Sequence, residues 1–139
     1  MNKTVKQLEL SQIQLRYQHT RIQPSRAVWK MADSIERLGQ LSPVSVVREE
    51  ACYVLVDGYL RVAALQHCAR DAVDARVWDK PLPMALIELL GPVRRWEPIE
   101  EAELLRELHL THQISQARLA QLLGKDPSWV SRRLALLEI

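Results

Sequence analysis

The sequence lacks any apolar run long enough to span a bilayer. Its longest near-apolar stretch, Met84 to Leu90, is broken by Glu88, whereas a spanning helix needs about 20 such residues. It also lacks a secretory signal, because the opening Met1-Asn2-Lys3-Thr4-Val5-Lys6-Gln7 has charges but no apolar core behind them. Cysteine is scarce. Cys52 and Cys68 are too few for a disulfide framework or a zinc site, and a reducing cytoplasm is the expected compartment. No internal repeat or low-complexity tract is present. Net charge is close to balance, at +2, and alone says little about partners.

What remains is an ordinary globular composition. The 139 residues are 47% hydrophobic and 26% charged, which argues against global disorder and allows one domain or two small ones. The charges are unevenly spread. Residues 1–30 hold six Lys/Arg against one Glu, residues 97–107 hold five Glu against one Arg, and the stretch from Arg118 onward holds four bases against two acids. Fourteen of the nineteen cations are arginine, the side chain best suited to phosphate. A solvated mixed-charge surface is the plain alternative.

Periodicity divides the chain. Val5, Leu8 and Leu10 suit a short strand, after which Ile13 and Leu15 turn inward. Pro24 and Ser25 open a helix with apolar positions at Val28, Met31, Ala32, Ile35 and Leu38, and Gly39 is its expected stop. Val44-Ser45-Val46-Val47 and Cys52-Tyr53-Val54-Leu55-Val56 read as strands joined by a Glu49-Glu50-Ala51 turn. Asp57-Gly58 breaks the second strand and a helix follows. Val73 to Trp78 alternates as a third strand, and Lys80-Pro81-Leu82-Pro83 is a hinge-like break. Every periodic segment after it is helical. The prediction is an α+β domain over residues 1–80 and an all-α domain over 81–139, with the boundary near residues 79–83. In the second half, Gly91-Pro92 ends one helix and Pro98–His109 is an amphipathic one. Its acids Glu100, Glu101 and Glu103 complement the helix dipole. They form either a solvated face or a docking face of an interaction adaptor.

The segment from Ser115 to Leu134 has the spacing of a helix-turn-helix. Ser115 can cap a helix facing inward through Leu119, Ala120 and Leu123. Small Ala120 allows a close helix crossing. Gly124 suits the positive φ needed to leave the helix. Asp126 can cap the next helix, Pro127 fits its first position, and Val130, Leu134 and Leu137 continue the buried face. Such a second helix enters the major groove with its N-terminal residues on base edges. The expected DNA contacts are Lys125, Ser128, Ser131, Arg132 and Arg133, with Gln116 at the start of the first helix. Arginine takes guanine bidentately and serine is promiscuous. An ordinary helical hairpin is the alternative. Trp129 is expected to pack rather than to wedge between bases. His109 and His112 form an H-x-x-H, but no nearby cysteine or suitably placed Glu supports metal binding.

Val56-Asp57-Gly58-Tyr59-Leu60-Arg61 puts a glycine at a strand-to-helix junction. A helix N-terminus favours anions, Gly58 admits a phosphate close to the backbone, and Arg61 lies one turn in. The alternative is a plain turn with Arg61 paired to Asp57.

In order and spacing the chain resembles the ParB family, the centromere-binding partners of plasmid and chromosome segregation, from about Leu8 to Leu137. The resemblance is carried by Ile22-Gln23-Pro24-Ser25-Arg26; by Ala32-Asp33-Ser34-Ile35 through Gly39-Gln40 to Pro43-Val44; by the box at Val56–Ala64; by Glu97-Pro98-Ile99-Glu100-Glu101-Ala102; and by the helix-turn-helix. It implies a nucleotide-binding set of Gly39, Gln40, Gly58, Arg61, Glu88 and Arg94, with CTP and Mg²⁺ as candidate cofactors. Gly58, Arg61 and Ala64 keep the family's Gly-Glu-Arg-Arg-x-Arg-Ala box, whereas Tyr59, Leu60 and Ala63 depart from it. Two cations are lost from the box, and the Asn of the family's Glu-Asn-x-x-Arg element is missing from Glu88-Leu89-Leu90-Gly91-Pro92-Val93-Arg94, at about 1.5–3 kcal/mol per charge-assisted hydrogen bond. That argues against conventional CTP clamping. The fold is shared with sulfiredoxin, but Gly58-Tyr59-Leu60-Arg61 lacks the thiol of that enzyme's Gly-Cys-His-Arg box. Cys52 and Cys68 are expected to be structural.

Asp57 has no second catalytic acid at a convincing spacing, so no catalytic residue is assigned. Phosphoryl transfer or nuclease action is the enzymatic alternative, and weak CTPase activity is what the resemblance alone implies. It further implies double-stranded DNA at a palindromic site, a homodimer, a ParA-type ATPase partner, and a cytoplasmic location on the bacterial nucleoid or a plasmid. Family members continue into further helices and a dimerisation domain. This sequence stops two residues after Leu137 and is therefore expected to be a fragment or a minimal relative.

Overall fold

Val46, Val54, Leu55 and Val56 are wholly removed from solvent, and the strands that carry them form the centre of a sheet. In the computed structural model, residues 4–40, 42–92 and 95–138 are described. The chain falls into two compact units, Met1–Pro81 and Leu82–Ile139.

In the first unit, β1 (Thr4–Glu9), β2 (Ile13–Gln14), β3 (Val44–Glu49), β4 (Cys52–Asp57) and β5 (Ala72–Trp78) form a five-stranded sheet in the order β1-β5-β3-β4-β2. β3 and β4 are an antiparallel hairpin in which Glu49 faces Cys52 and Arg48 faces Tyr53. Glu50 takes a positive φ of 53° in its turn. A bulge between Ser45 and Val46 bends β3 locally. β5 runs parallel to β3, with Val44 opposite Ala75. β1 closes one edge antiparallel to β5, and short β2 closes the other parallel to β4. Leu10, expected in the first strand, instead begins a 3-10 turn over Leu10–Gln12.

Two helices, α1 (Ser25–Leu38) and α2 (Tyr59–His67), pack on each other. α1 starts after Pro24 and stops at Gly39, whose φ is +77°, as its sequence predicts. Its buried stripe is narrower than the apolar pattern implies. Ala32 and Ile35 are buried, whereas Leu38 is 61% exposed. At 3.6 residues per turn, Leu38 lies about 120° round the helix from Ala32, beyond the face that meets the core.

The second unit is helical: α3 (Leu82–Leu89), α4 (Pro98–Arg106), α5 (Gln116–Leu123) and α6 (Pro127–Ala135). Leu104, Leu105, Leu108, Leu119 and Val130 are fully buried at its centre. α4 opens with a reciprocal capping box. The Glu97 side chain accepts from the backbone of Glu100, and Glu100 accepts from Glu97 N at 3.1 Å, satisfying two orphan donors. α4 then continues into a π-helical turn over Glu107–Thr111. Most of its acids have internal roles. Glu100 is buried in the cap, Glu101 pairs with Arg133 at 2.9 Å, and Glu103 pairs with Arg106 at 2.7 Å. His109 Nδ1 lies 2.8 Å from the Ile114 carbonyl oxygen. That oxygen can only accept, so Nδ1 carries the proton. Among the described residues no helix is long and apolar enough to cross a membrane.

Candidate nucleic-acid interface and anion site

The α5–α6 pair is assembled by local chemistry. Ser115 Oγ accepts from Arg118 N at 3.1 Å and caps α5. Gly124, at φ +67° and ψ 34°, turns the chain out of it, and Lys125 N donates to Ala120 O at 2.9 Å, closing the left-handed cap. Pro127 takes the first position of α6. Buried Val130 then anchors α6, which packs against α4 and α5.

That anchoring leaves one side of α6 in water. Ser128, Ser131 and Arg132 are exposed, as are Lys125 in the turn and Gln116 at the start of α5. Ser128, Ser131 and Arg132 stand three and four residues apart and so share one face. Asp126 does not cap α6 with its side chain as expected. Its Oδ2 instead accepts from Ser128 Oγ at 3.1 Å, and the same hydroxyl accepts from Arg132 Nη1 at 2.8 Å. The competing side-chain bond draws the carboxylate away from the helix amides.

Arg133 faces differently from its neighbour. Its Nε donates to Glu101 Oε1 at 2.9 Å, and its guanidinium lies 5.1 Å from the centroid of Trp129. Lys125 Nζ is also 5.1 Å from that ring. Trp129 thus has two cations close to its ring and is half-buried, consistent with packing rather than projection. Arg133 is half-buried and tied to α4. Sequence spacing could not separate Arg132 from Arg133, because Glu101 lies 32 residues away.

The second candidate region is the β4–α2 junction. Gly58 sits at φ +105°, and a Cβ there would come within 2.6 Å of Val44 Cγ1. Only glycine fits without displacing β3. The first backbone N–H groups of α2 have no intrahelical acceptor, and its N-cap residue, Gly58, has no side chain to supply one. Arg61 is half-buried, and no hydrogen bond or ion pair engages its guanidinium among the described residues. The expected alternative, Arg61 paired to Asp57, is not what forms. Arg21 takes Asp57 at 3.2 Å and donates to Val56 O at 2.8 Å. Its guanidinium also lies 5.2 Å from the Tyr59 ring centroid. Tyr59 is buried, donates to Leu55 O at 2.7 Å and accepts from Tyr17 N at 3.1 Å. Burial pushes its phenol well above the usual tyrosine range.

Gly39, Gln40, Gly58 and Arg61 come to one end of the sheet, where Ser45 faces Asp57 and Val44 faces Ala75. Gln40 is committed there to the chain itself. Its Nε2 donates to Ser42 O at 2.8 Å and Asp74 O at 3.0 Å, and its Oε1 accepts from Asp74 N at 2.8 Å. Both amide hydrogens are used, so Gln40 orders the loop before β3 and offers a ligand no donor. Gly39 is the α1 stop. Glu88 is exposed on α3 in the second unit. Arg94 lies outside the described residues. Sequence reasoning missed Arg21, Tyr17 and the structural use of Tyr59. Arg21 reaches Val56 and Asp57, 35 and 36 residues on, and Tyr17 meets Tyr59 across 42 residues, separations that no local pattern marks. Both cysteine thiols donate to backbone carbonyls, Cys52 to Glu49 at 3.4 Å and Cys68 to Ala32 at 3.6 Å.

Comparison with known proteins places this geometry. Residues 1–90 match the family model of the ParB N-terminal domain, and residues 95–139 match that of the ParB HTH domain. A nucleoid occlusion protein of Oceanobacillus iheyensis is 33% identical over 129 residues, covering 89% of this chain and 45% of that protein. The chain thus spans less than half the length of this curated relative. The C-terminally truncated chromosome-partitioning protein ParB of Caulobacter crescentus, in complex with CTP-γ-S, aligns over 98% of this chain and 79% of its own, with TM-score 0.54 and 23% identity. Its complex with the centromeric parS site aligns over 96% and 72%, with TM-score 0.51 and 21% identity. Sulfiredoxin of Arabidopsis thaliana covers 55% of this chain and 86% of its own, with TM-score 0.52 and 22% identity. At these identities the structural likeness is one of fold.

Proposed function

The chain belongs to the ParB family, and on that premise we propose that it is a sequence-specific DNA-binding protein of partition or a related regulatory process. The observation that supports this reading best is the exposed start of α6. Buried Val130 fixes the helix, and Ser128, Ser131 and Arg132 face water together. In this reading Arg132 reads a base edge, Ser128 and Ser131 make adaptable hydrogen bonds, and Lys125 and Gln116 bond phosphates. Arg133 acts indirectly, holding α6 against Glu101. The duplex site is palindromic and is read by two copies of the chain, because symmetric half-sites need a symmetric pair. A ParA-type ATPase is the proposed protein partner, and the nucleoid or a plasmid in the cytoplasm the proposed location. Selection of a duplex from a random pool, followed by titration against a scrambled duplex, tests the reading. Failure to enrich any sequence would overturn it.

A second reading, nucleotide binding, is favoured by Arg61, which stands one turn into α2 with no hydrogen bond or ion pair to its guanidinium among the described residues. Gly58 and the first N–H groups of α2 would cradle phosphate oxygens, and Arg61 would add one cation. The fit is partial, because Tyr59 is turned into the core and Leu60 adds no charge. CTP would supply the triphosphate, and Mg²⁺ would arrive on it, since phosphate oxygens provide much of that ion's coordination. No catalytic residue is assigned to hydrolysis. Calorimetry with the four nucleoside triphosphates tests this reading, and heat with none of them would overturn it.

A further inference from the structure

Lys6 of β1, Arg48 of β3 and Lys80, two residues beyond β5, meet around a concavity of about 600 Å³ that Tyr53, Trp78 and Asp79 also line. It lies at the end of the sheet opposite Gly58. Arg48 faces Tyr53 here, whereas Ser45 faces Asp57 at the far end. The cations rest on aromatic rings. Lys6 Nζ is 6.0 Å and Arg48 Cζ 5.9 Å from the Tyr53 centroid, and Lys80 Nζ is 5.6 Å from that of Trp78. A ring face orients a cation without cancelling its charge. Neither Lys6 nor Arg48 forms an ion pair among the described residues. Against the one carboxylate of Asp79, three cations leave a local +2, equal to the net charge of the whole chain.

We infer that this concavity takes the phosphodiester backbone of duplex DNA, as a sequence-blind contact additional to the start of α6. The inference rests on the DNA-binding reading. Duplex backbone fits better than a free nucleotide because the rim has no platform for a base. Trp78 is only 8% exposed, and the rings of Tyr53 and Trp78 already carry cations. The rim also has no glycine among its lining residues. It recognises by charge alone, and its charges come from three separate segments.

The test uses the full chain, a selected duplex, a random duplex and a salt series. The variant Lys6→Gln/Arg48→Gln removes two cations that are exposed on the surface. Each lost phosphate contact flattens the plot of log affinity against log salt by about 0.9. The expected slope is therefore shallower by about 2, so that the loss between 50 and 200 mM salt is roughly tenfold smaller. The ratio of selected to random binding should stay unchanged. Lys6→Arg/Arg48→Lys should restore the slope, which a packing role would not require. An unchanged slope in the glutamine variant, with DNA binding otherwise intact, overturns this inference alone. So does inorganic phosphate or CTP binding that the variant abolishes while the DNA slope stays the same, because the site is then a small-anion pocket. A wild-type chain that binds neither duplex overturns the DNA-binding reading as well.

Discussion

Arg21 Nη1 stands 3.2 Å from Asp57 Oδ1, and only 3% of the Arg21 side chain reaches solvent. This pair lies beside Gly58-Tyr59-Leu60-Arg61, the segment that resembles the ParB-family Gly-Glu-Arg-Arg. Positive charge is present, but it is supplied from the loop before α1 and spent on the chain's own carboxylate and carbonyl. Arg61, the cation that the box retains, has no hydrogen-bond or ion-pair partner among the described residues. The two arginines should therefore behave oppositely.

Arg21→Met removes the bonds to Asp57 and the Val56 carbonyl and is expected to cost about 2–4 kcal/mol of stability. Arg61→Ala should change stability by no more than about 0.5 kcal/mol. Urea unfolding of both variants checks this. The reverse order would mean that Arg61, not Arg21, holds the junction.

Tyr59 gives the fold an alkaline limit. An exposed tyrosine in the unfolded chain ionises near pH 10, whereas burial holds the native phenol protonated to higher pH. Above pH 10 the native state binds the extra proton, so stability falls as pH rises, by up to about 1.4 kcal/mol per unit. Below pH 10 this group contributes no pH dependence. Tyr59→Phe should remove that alkaline contribution. It should also cost about 1–3 kcal/mol at neutral pH, because Leu55 O and Tyr17 N each lose a buried partner. Thermal melts from pH 8 to 11 read both effects.

Glu101 and Arg133 tether α4 to α6, with side chains 16% and 30% exposed. A double-mutant cycle with Glu101→Gln and Arg133→Ala should give a coupling of about 1 kcal/mol, toward the upper end for such pairs because Trp129 confines the guanidinium. Arg133→Ala should weaken selected and random duplexes alike. A loss confined to the selected duplex would instead make Arg133 a base-reading residue.

What was legible in the sequence was local. Ser115, Gly124 and Pro127 each act within a few residues of their own position, so the helix-turn-helix could be read from caps and spacing. Gly39, the β3–β4 turn and the strand-helix alternation were legible for the same reason. What was not legible depended on distant partners. Gln40 has the composition of a ligand donor until β5 brings Asp74 against it, 34 residues on. Asp126 has every feature of a capping residue, yet Ser128 competes for its carboxylate. Leu38 fits the apolar period and still projects outward, because the period fixes an angle and not the width of the face that the core covers.

In the proposed reading, α6 reads sequence through Arg132. The most direct test titrates the full chain and Arg132→Ala on a selected duplex and a random one at fixed salt. The wild-type chain should prefer the selected duplex by at least about 10³-fold. Arg132→Ala should lose about 1–3 kcal/mol on that duplex and much less on the random one. Equal losses on both duplexes, or no preference in the wild-type chain, would contradict that reading.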